Sequence, residues 1–220
     1  MRHGNDAFGA ETEETSKLIT QELLRHAPFT AFGAITGIVI VLLAVHFPQP
    51  AAEQIFYTLH PLHVVLSALA TAGMYRLHRG KGVALVLVGY IGSIGIATLS
   101  DSLLPFAGEM LLQLPNPGLH IGFIEMWWLV NPLAFLGIAI AYWRPTTEFP
   151  HAGHVLLSTW ASAFHIIMAL GETVSWITLV IIGLFLFLSV WLPCCLSDII
   201  FPLLFISGKT ANHDGSNTGH

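Results

Sequence analysis

Apolar stretches of membrane-spanning length recur along the chain, and short polar or proline-containing segments separate them. An α-helix needs about 20 residues to cross a hydrocarbon core of about 30 Å. We predict six such spans, at about residues 29–47, 55–75, 82–101, 120–142, 151–170 and 173–193. The pattern therefore predicts an all-α integral membrane protein with six transmembrane helices.

The segments outside these spans are polar or rich in proline. Residues 1–28 predict a cytoplasmic N-terminal segment that is partly an amphipathic helix, and residues 208–220 predict a disordered tail. Three prolines between residues 105 and 119 predict a re-entrant or surface connection after the third span, because proline cannot continue an α-helix.

Composition supports the membrane class and narrows the list of partners. Hydrophobic residues make up 54% of the chain and charged residues only 10%, whereas soluble domains typically carry about 25% charged residues. The net charge of −5 comes from few groups and leaves no basic patch, so we expect no nucleic acid partner. We expect the lipid bilayer as the main partner, in a prokaryotic-type cytoplasmic membrane, and the chain length is compatible with a homo-oligomer.

The positions of the basic residues predict the topology. Cytoplasmic loops of membrane proteins carry an excess of Lys and Arg. With six spans and a cytoplasmic N-terminus, every basic residue of the chain falls on the cytoplasmic side: Arg2, Lys17, Arg25, Arg76, Arg79, Lys81, Arg144 and Lys209. We therefore predict that both termini are cytoplasmic.

One sequence pattern occurs twice. Residues 60–72 and 151–163 are identical at seven of thirteen positions, and a Leu-Ser-Asp motif follows each copy, ending at Asp101 and at Asp198. We predict two repeats of three spans each, at residues 29–113 and 119–207. Because each repeat has an odd number of spans, the two insert in opposite orientations, as in many secondary transporters.

The repeated residues predict a metal site. The histidines of each copy are three residues apart and so share one helix face. Two imidazoles and a carboxylate suit Zn²⁺ or Fe²⁺, so we expect a divalent metal ion as the bound species. The predicted ligands are His60, His63, Asp101, His151, His154 and Asp198, with Ser100, Ser197, His120 and Glu125 as further candidates.

Prolines near both motifs predict local breaks in the helices. Pro61 and Pro150 place each His motif at a helix start or a helix break. Pro105 and Pro202 are each expected to release the backbone carbonyl four residues earlier, which belongs to Asp101 and Asp198 respectively. The inverted arrangement puts His60, His63 and Asp101 towards the outer side of the membrane. It puts the second set, His151, His154 and Asp198, towards the inner side. The sequence leaves open whether there is one shared site or two.

Several other polar residues are weaker candidates. His46 and Glu109 join the outer set only if the helices pack suitably, and we expect His165 to be a hydrogen-bonded contact between helices. The alternative to a metal or proton site is that the repeated residues serve structural hydrogen bonding. An intramembrane Asp is nevertheless functional by default, because its burial costs at least about 2.5 kcal/mol.

Three functions fit these features. The leading hypothesis is a transporter or channel for a divalent metal cation such as Zn²⁺ or Fe²⁺, with or without coupling to protons. The second is a membrane-embedded metal-dependent hydrolase, in which a metal-bound water is activated near Asp101 or Asp198. The third is a b-type haem protein for transmembrane electron transfer, with axial histidines such as His60 or His63 opposite His120.

Overall fold

A computed structural model describes residues 27–44, 46–77, 80–145, 148–171 and 175–195, together with Thr20, Leu24 and Phe201. These residues form an all-helical protein, and the described part of the chain contains no β-strand. The elements are α1 (Ala27–Ala44), α2 (Gln49–Leu77), α3 (Val83–Thr98), a π-helical turn (Leu99–Leu103), α4 (Leu104–Leu111), α5 (Gly122–Glu125), α6 (Trp127–Trp143), α7 (Glu148–Ala169) and α8 (Trp176–Cys195).

Five helical segments of the described chain are long and apolar enough to cross a membrane, which is compatible with a multi-pass integral membrane protein. They are Ala27–Ala44, Gln49–Leu77, Val83–Leu111, Ala152–Ala169 and Trp176–Pro193. A sixth apolar helix, α6, is shorter at 17 residues. The six-span arrangement, the inverted repeat and the cytoplasmic termini stay predictions, and most of residues 1–28 and all of residues 208–220 lie outside the described residues.

The predicted start of the fourth span is wrong. The apolar helix α6 begins at Trp127, and the short helix α5 precedes it. Met126 separates them because its backbone (φ −122°, ψ 41°) is not helical. Residues 112–121 contain no helix, so His120 lies in the connection before α6, and Glu125 is the last residue of the four-residue helix α5.

Helix α2 lies at the centre of the bundle and packs against α3, α6 and α7. Gly137 of α6 allows a close approach to α2, since a Cβ atom there would lie 2.4 Å from the Val65 carbonyl oxygen. Small residues at such contacts let the backbones of membrane helices approach each other. The centre of α2 is therefore enclosed on several sides.

The expected helix start or break at Pro61 is also wrong. Helix α2 continues through Pro61 without interruption, because neighbouring helices enclose the buried proline. The helix starts at Gln49, earlier than the sequence pattern indicates, so His63 lies fourteen residues along it. That is about 21 Å at 1.5 Å per residue, near the middle of the helix. The corresponding prediction for Pro150 is confirmed, since Pro150 lies in the first turn of α7.

Between α3 and α4 the helix widens into the π-helical turn. The Leu104 N–H donates to the Leu99 carbonyl, five residues earlier. In this register the carbonyl that faces the nitrogen of Pro105 belongs to Ser100. Ser162 Oγ of α7 donates its hydrogen between this carbonyl, at 2.9 Å, and the Ser158 carbonyl, at 2.8 Å. The predicted release of the Asp101 carbonyl is thus displaced by one residue, to Ser100, because the turn adds one residue to the repeat.

The sequence pattern indicated that the helix ends at Pro105, and this prediction is wrong. Pro105 lies in the first turn of α4, where its missing N–H and fixed φ are tolerated, and the helix continues to Leu111. Residues 105–111 are consequently helical, and the connection to the next helix begins only at Leu112.

The contact between Ser162 and the Ser100 carbonyl can be tested by a double-mutant cycle. Ser162→Ala leaves a buried acceptor unpaired and should lower the free energy of unfolding by about 1–3 kcal/mol. The Pro105→Ala variant restores an N–H opposite the same carbonyl, so Ser162→Ala should cost less in that background. Denaturant titration in detergent micelles measures both penalties, and equal penalties in the two backgrounds would contradict the assignment.

Candidate functional site

Two histidines of α2 bind one oxygen of a buried carboxylate. Asp101 lies in the π-helical turn with no exposed surface, and its Oδ2 lies 3.0 Å from His60 Nδ1 and 2.7 Å from His63 Nδ1. An ionised carboxylate only accepts hydrogen bonds, so both imidazoles donate from Nδ1. The predicted shared face of His60 and His63 is confirmed, and Asp101 lies opposite it.

Two hydroxyl groups bind the other carboxylate oxygen. Ser100 Oγ donates to Asp101 Oδ1 at 2.8 Å, and Ser158 Oγ of α7 donates to the same oxygen at 2.7 Å. A carboxylate offers about four lone-pair positions, so these four donors saturate it. They replace the water that a buried charge loses. Coordination of a metal by Asp101 would require one of the donors to leave.

The π-helical turn explains how neighbouring residues all face the interior. Ser100, Asp101 and Ser102 are each fully buried, although successive residues of an α-helix point about 100° apart. The extra residue of a π turn widens the helix locally, and such turns are frequent at functional sites. The turn therefore directs both Ser100 and Asp101 towards α2 and α7.

The other ring nitrogen of each histidine, Nε2, is left without a hydrogen bond among the described residues. Both of these atoms, His60 Nε2 and His63 Nε2, are buried. Because Nδ1 carries the hydrogen, each Nε2 holds a free lone pair that can accept a proton or a cation. Metal-binding histidines often have their Nδ1–H fixed by a carboxylate in this way.

Residues of both predicted repeats meet at this site. The His154 ring stacks on the His63 ring with centroids 5.7 Å apart, and His154 Nδ1 lies 3.2 Å from the Pro150 carbonyl. Ser158, four residues further along α7, reaches Asp101. In the described part of the chain, side chains from α2, the π-helical turn and α7 therefore meet around Asp101, and the number of sites stays a prediction. The side chain of His151, and Ser197 and Asp198, lie outside the described residues.

A complete metal site is not assembled in the described residues, which contain no group of three or more His, Cys, Asp or Glu side chains able to hold a metal ion. The chain matches no protein-family model, no curated protein sequence and no solved structure. The geometry and chemistry of the site are therefore the basis on which we argue its function.

Gly122 of α5 lies close against the His60 ring, on which the contact with Asp101 depends. A Cβ atom at Gly122 would lie 2.3 Å from His60 Cδ2 and 2.6 Å from His60 Nε2. Only glycine permits this approach, because the ring cannot move away without losing its bond to Asp101. The start of α5 therefore covers the face of the site that lies towards the connection between α4 and α6.

The additional candidates His120 and Glu125 do not join Asp101. They lie with Tyr57, Glu109 and His165 in a second cluster nearer the protein surface. His165 binds Glu109 of α4, which agrees with the expected contact between helices. His46 is exposed in the turn between α1 and α2.

Sequence reasoning missed Ser158 as a site residue, although a signal for it was present. Ser158 is one of the seven identical positions of the repeated pattern, where it aligns with Ser67. Ser67 is also buried, and its hydroxyl has no hydrogen-bond partner among the described residues. A serine retained at the same place in both copies of a pattern was therefore a candidate on its own.

We expect Gly122→Ala to displace His60 and to lower the heat-unfolding midpoint in detergent. Gly95→Ala is the matched control, because a Cβ atom there meets no atom within 4 Å. At that helical position alanine should be neutral or stabilising by about 0.5–1 kcal/mol. In a His60→Ala background the ring is absent, so Gly122→Ala should then cost little. A penalty that persists in that background would mean that the methyl group clashes with something other than His60.

Proposed function

We propose that the protein is a membrane transporter that binds and releases a proton at the cluster of His60, Asp101 and His63. One observation carries the proposal. Asp101 is fully buried and saturated with donors, while the two imidazoles bound to it each keep a free Nε2. Chains of Asp, Glu and His inside a membrane are typical of proton relays in pumps and transporters.

The charge of the cluster supports proton binding. With both imidazoles neutral the cluster has one negative charge, which is costly to bury away from water. A proton that binds at Nε2 of either histidine turns the cluster into a neutral ion pair. Protonation and release therefore switch the net charge of the site between zero and minus one.

The position of the cluster supports transport. His63 lies near the middle of the 29-residue helix α2, and secondary transporters hold their substrates and coupling ions near the membrane midplane. Helices from both predicted repeats contribute donors, α2 through the histidines and α7 through Ser158. A relative movement of α2 and α7 would open the cluster to one side or the other.

We propose a divalent cation such as Zn²⁺ or Fe²⁺ as the cargo. The negative charge of the unprotonated cluster attracts a cation, and a proton competes with it for the same charge. Such competition is a physical basis for exchange of protons against metal ions. Three or four ligands are usual for Zn²⁺, so the cargo would need further donors besides the described imidazoles.

The site offers less to the two alternative functions. The predicted hydrolase would use Asp101 beside a metal-bound water, and the four donors on Asp101 leave its carboxylate without a free lone pair for the metal or for a proton from the water. A haem is far larger than a proton or a single metal ion, and the close packing of α5 on His60 at Gly122, where not even a Cβ atom fits, leaves little room for it on that side of the ring.

Flux measurements in proteoliposomes test the proposal. Under an imposed pH gradient, the wild type should move protons across the membrane, and external Zn²⁺ or Fe²⁺ should change the rate. Asp101→Asn keeps the shape but places an amide N–H₂ against donors. It should abolish proton flux and cost about 3–5 kcal/mol in stability, the range for breaking a buried charge pair.

His63→Gln should slow proton flux at a smaller cost in stability, because glutamine can still donate to Asp101 but only His60 is left to take up a proton; flux should be abolished when His60→Gln is added. His46→Gln is the matched control, since His46 is exposed and lies in neither cluster. Proton flux at the wild-type rate in both Asp101→Asn and His63→Gln would refute the proposal, and so would its absence from the wild type.

A further inference from the structure

A second buried carboxylate–imidazole pair lies apart from Asp101. Glu109 of α4 and His165 of α7 are each 1% exposed, and His165 Nδ1 lies 2.7 Å from Glu109 Oε1. The Gly118 N–H donates to the other oxygen, Oε2, at 3.1 Å. His165 Nε2 is buried and has no hydrogen-bond partner among the described residues. The pair thus repeats the arrangement of the Asp101 cluster with one imidazole in place of two.

A row of polar side chains connects this pair to the surface. The His120 ring stands edge-on to the His165 ring, with centroids 5.4 Å apart. Tyr57 Oη lies 3.3 Å from His120 Nδ1 and donates to Glu125 Oε2. The exposed fraction rises along the row, to 25% for the His120 side chain and 39% for Glu125. Titratable groups therefore extend from the protein surface at Glu125 to buried Glu109, with a ring contact between His120 and His165 as the link in the middle.

The electrostatics of the outer members favour this exchange. Burial lowers the pKa of His120, and the neighbouring His165 lowers it further. Glu53 and Glu109 raise it by a smaller amount. Burial raises the pKa of Glu125, and the charge of Glu53 raises it further. A hydrogen bond with the Ile121 backbone and the nearby His165 lower it by a smaller amount. The two pKa values therefore move towards each other, which reduces the free-energy difference for passing a proton between carboxyl and imidazole.

An aromatic ring separates the two buried carboxylates. Phe56 of α2 has no exposed surface, and its ring stacks on His60 with centroids 5.6 Å apart and an interplanar angle of 22°. The same ring meets His165 edge-on at 5.3 Å. A phenyl ring has no group that binds a proton, so Phe56 interrupts the row between His165 and His60.

We propose that Glu109, His165 and His120 form a second proton-binding site at the exposed end of the bundle, and that Phe56 controls passage from it to the Asp101 cluster. The existence of the second site stands on its own geometry, whereas its role as an entrance rests on the proposed transport function. Under the predicted topology this entrance faces the outer side of the membrane.

Hydrogen exchange at the imidazole Cε1 atoms, followed by mass spectrometry, tests the arrangement without any transport assay. In the wild type, exchange should be fastest at His120, slower at His165 and slowest at His60 and His63. Phe56→Ala should accelerate exchange at His60 by on the order of tenfold, equivalent to about 1.4 kcal/mol of protection, and should leave His120 unchanged. Phe187→Ala is the control for loss of a phenyl ring, since Phe187 of α8 packs against the same apolar cluster as Phe56 but has its ring against Trp191.

Two results of this exchange experiment would overturn the inference. The first is a His165 rate as slow as that of His60 in the wild type, which would mean that no path leads from the surface to Glu109. The second is an unchanged His60 rate in Phe56→Ala, which would mean that the phenyl ring is not the barrier.

Proton flux distinguishes the entrance from the transport proposal. Glu109→Gln and His165→Gln should each slow proton flux by on the order of tenfold, and Phe56→Ala should raise the uncoupled proton leak. Wild-type flux in both Glu109→Gln and His165→Gln, with flux abolished in Asp101→Asn, would reject the entrance and keep the transport function. Absence of flux from the wild type would reject the transport function, and the exchange rates would still decide whether the second site exists.

Discussion

The saturated carboxylate of Asp101 is the interaction on which the rest of the structure depends. A buried negative charge is stable only when donors replace its hydration, and here two imidazoles and two hydroxyls do so from α2, the π-helical turn and α7. Meeting this requirement brings those three elements together around one point. It also holds both histidines with Nδ1 towards the charge, so their Nε2 atoms are left without a hydrogen bond among the described residues.

Much of this site could be predicted from sequence because helical spacing is a local property. Histidines three residues apart must share a face, and an Asp in an apolar helix requires donors, so His60, His63 and Asp101 followed from the pattern. The membrane class followed from the apolar runs, since five helical segments reach spanning length. The sequence also indicated that Pro105 leaves a backbone carbonyl without its helical hydrogen bond, although that carbonyl belongs to Ser100 and not to Asp101.

The remaining features depend on packing between helices, which spacing along one helix does not contain. Ser158 reaches Asp101 only because α7 crosses the π-helical turn. The one-residue displacement at Pro105 arises because that turn changes the hydrogen-bond register. His120 and Glu125 lie in a connection that folds over the end of the bundle, so they join Glu109 and His165 and not the Asp101 cluster. The two carboxylates then lie on either side of Phe56, a residue that no sequence motif marks.

The central claim is that one carboxylate oxygen holds both imidazoles in the Nδ1–H form and leaves Nε2 to bind the proton. Solid-state nitrogen NMR of the histidine-labelled protein in lipid bilayers measures this directly, with His60→Gln and His63→Gln variants assigning the two rings. At alkaline pH the account predicts a hydrogen on Nδ1 and none on Nε2 of both rings, followed on acidification by protonation of one Nε2. An Nε2–H tautomer at either histidine, or Nε2 atoms that stay unprotonated on acidification, would contradict it.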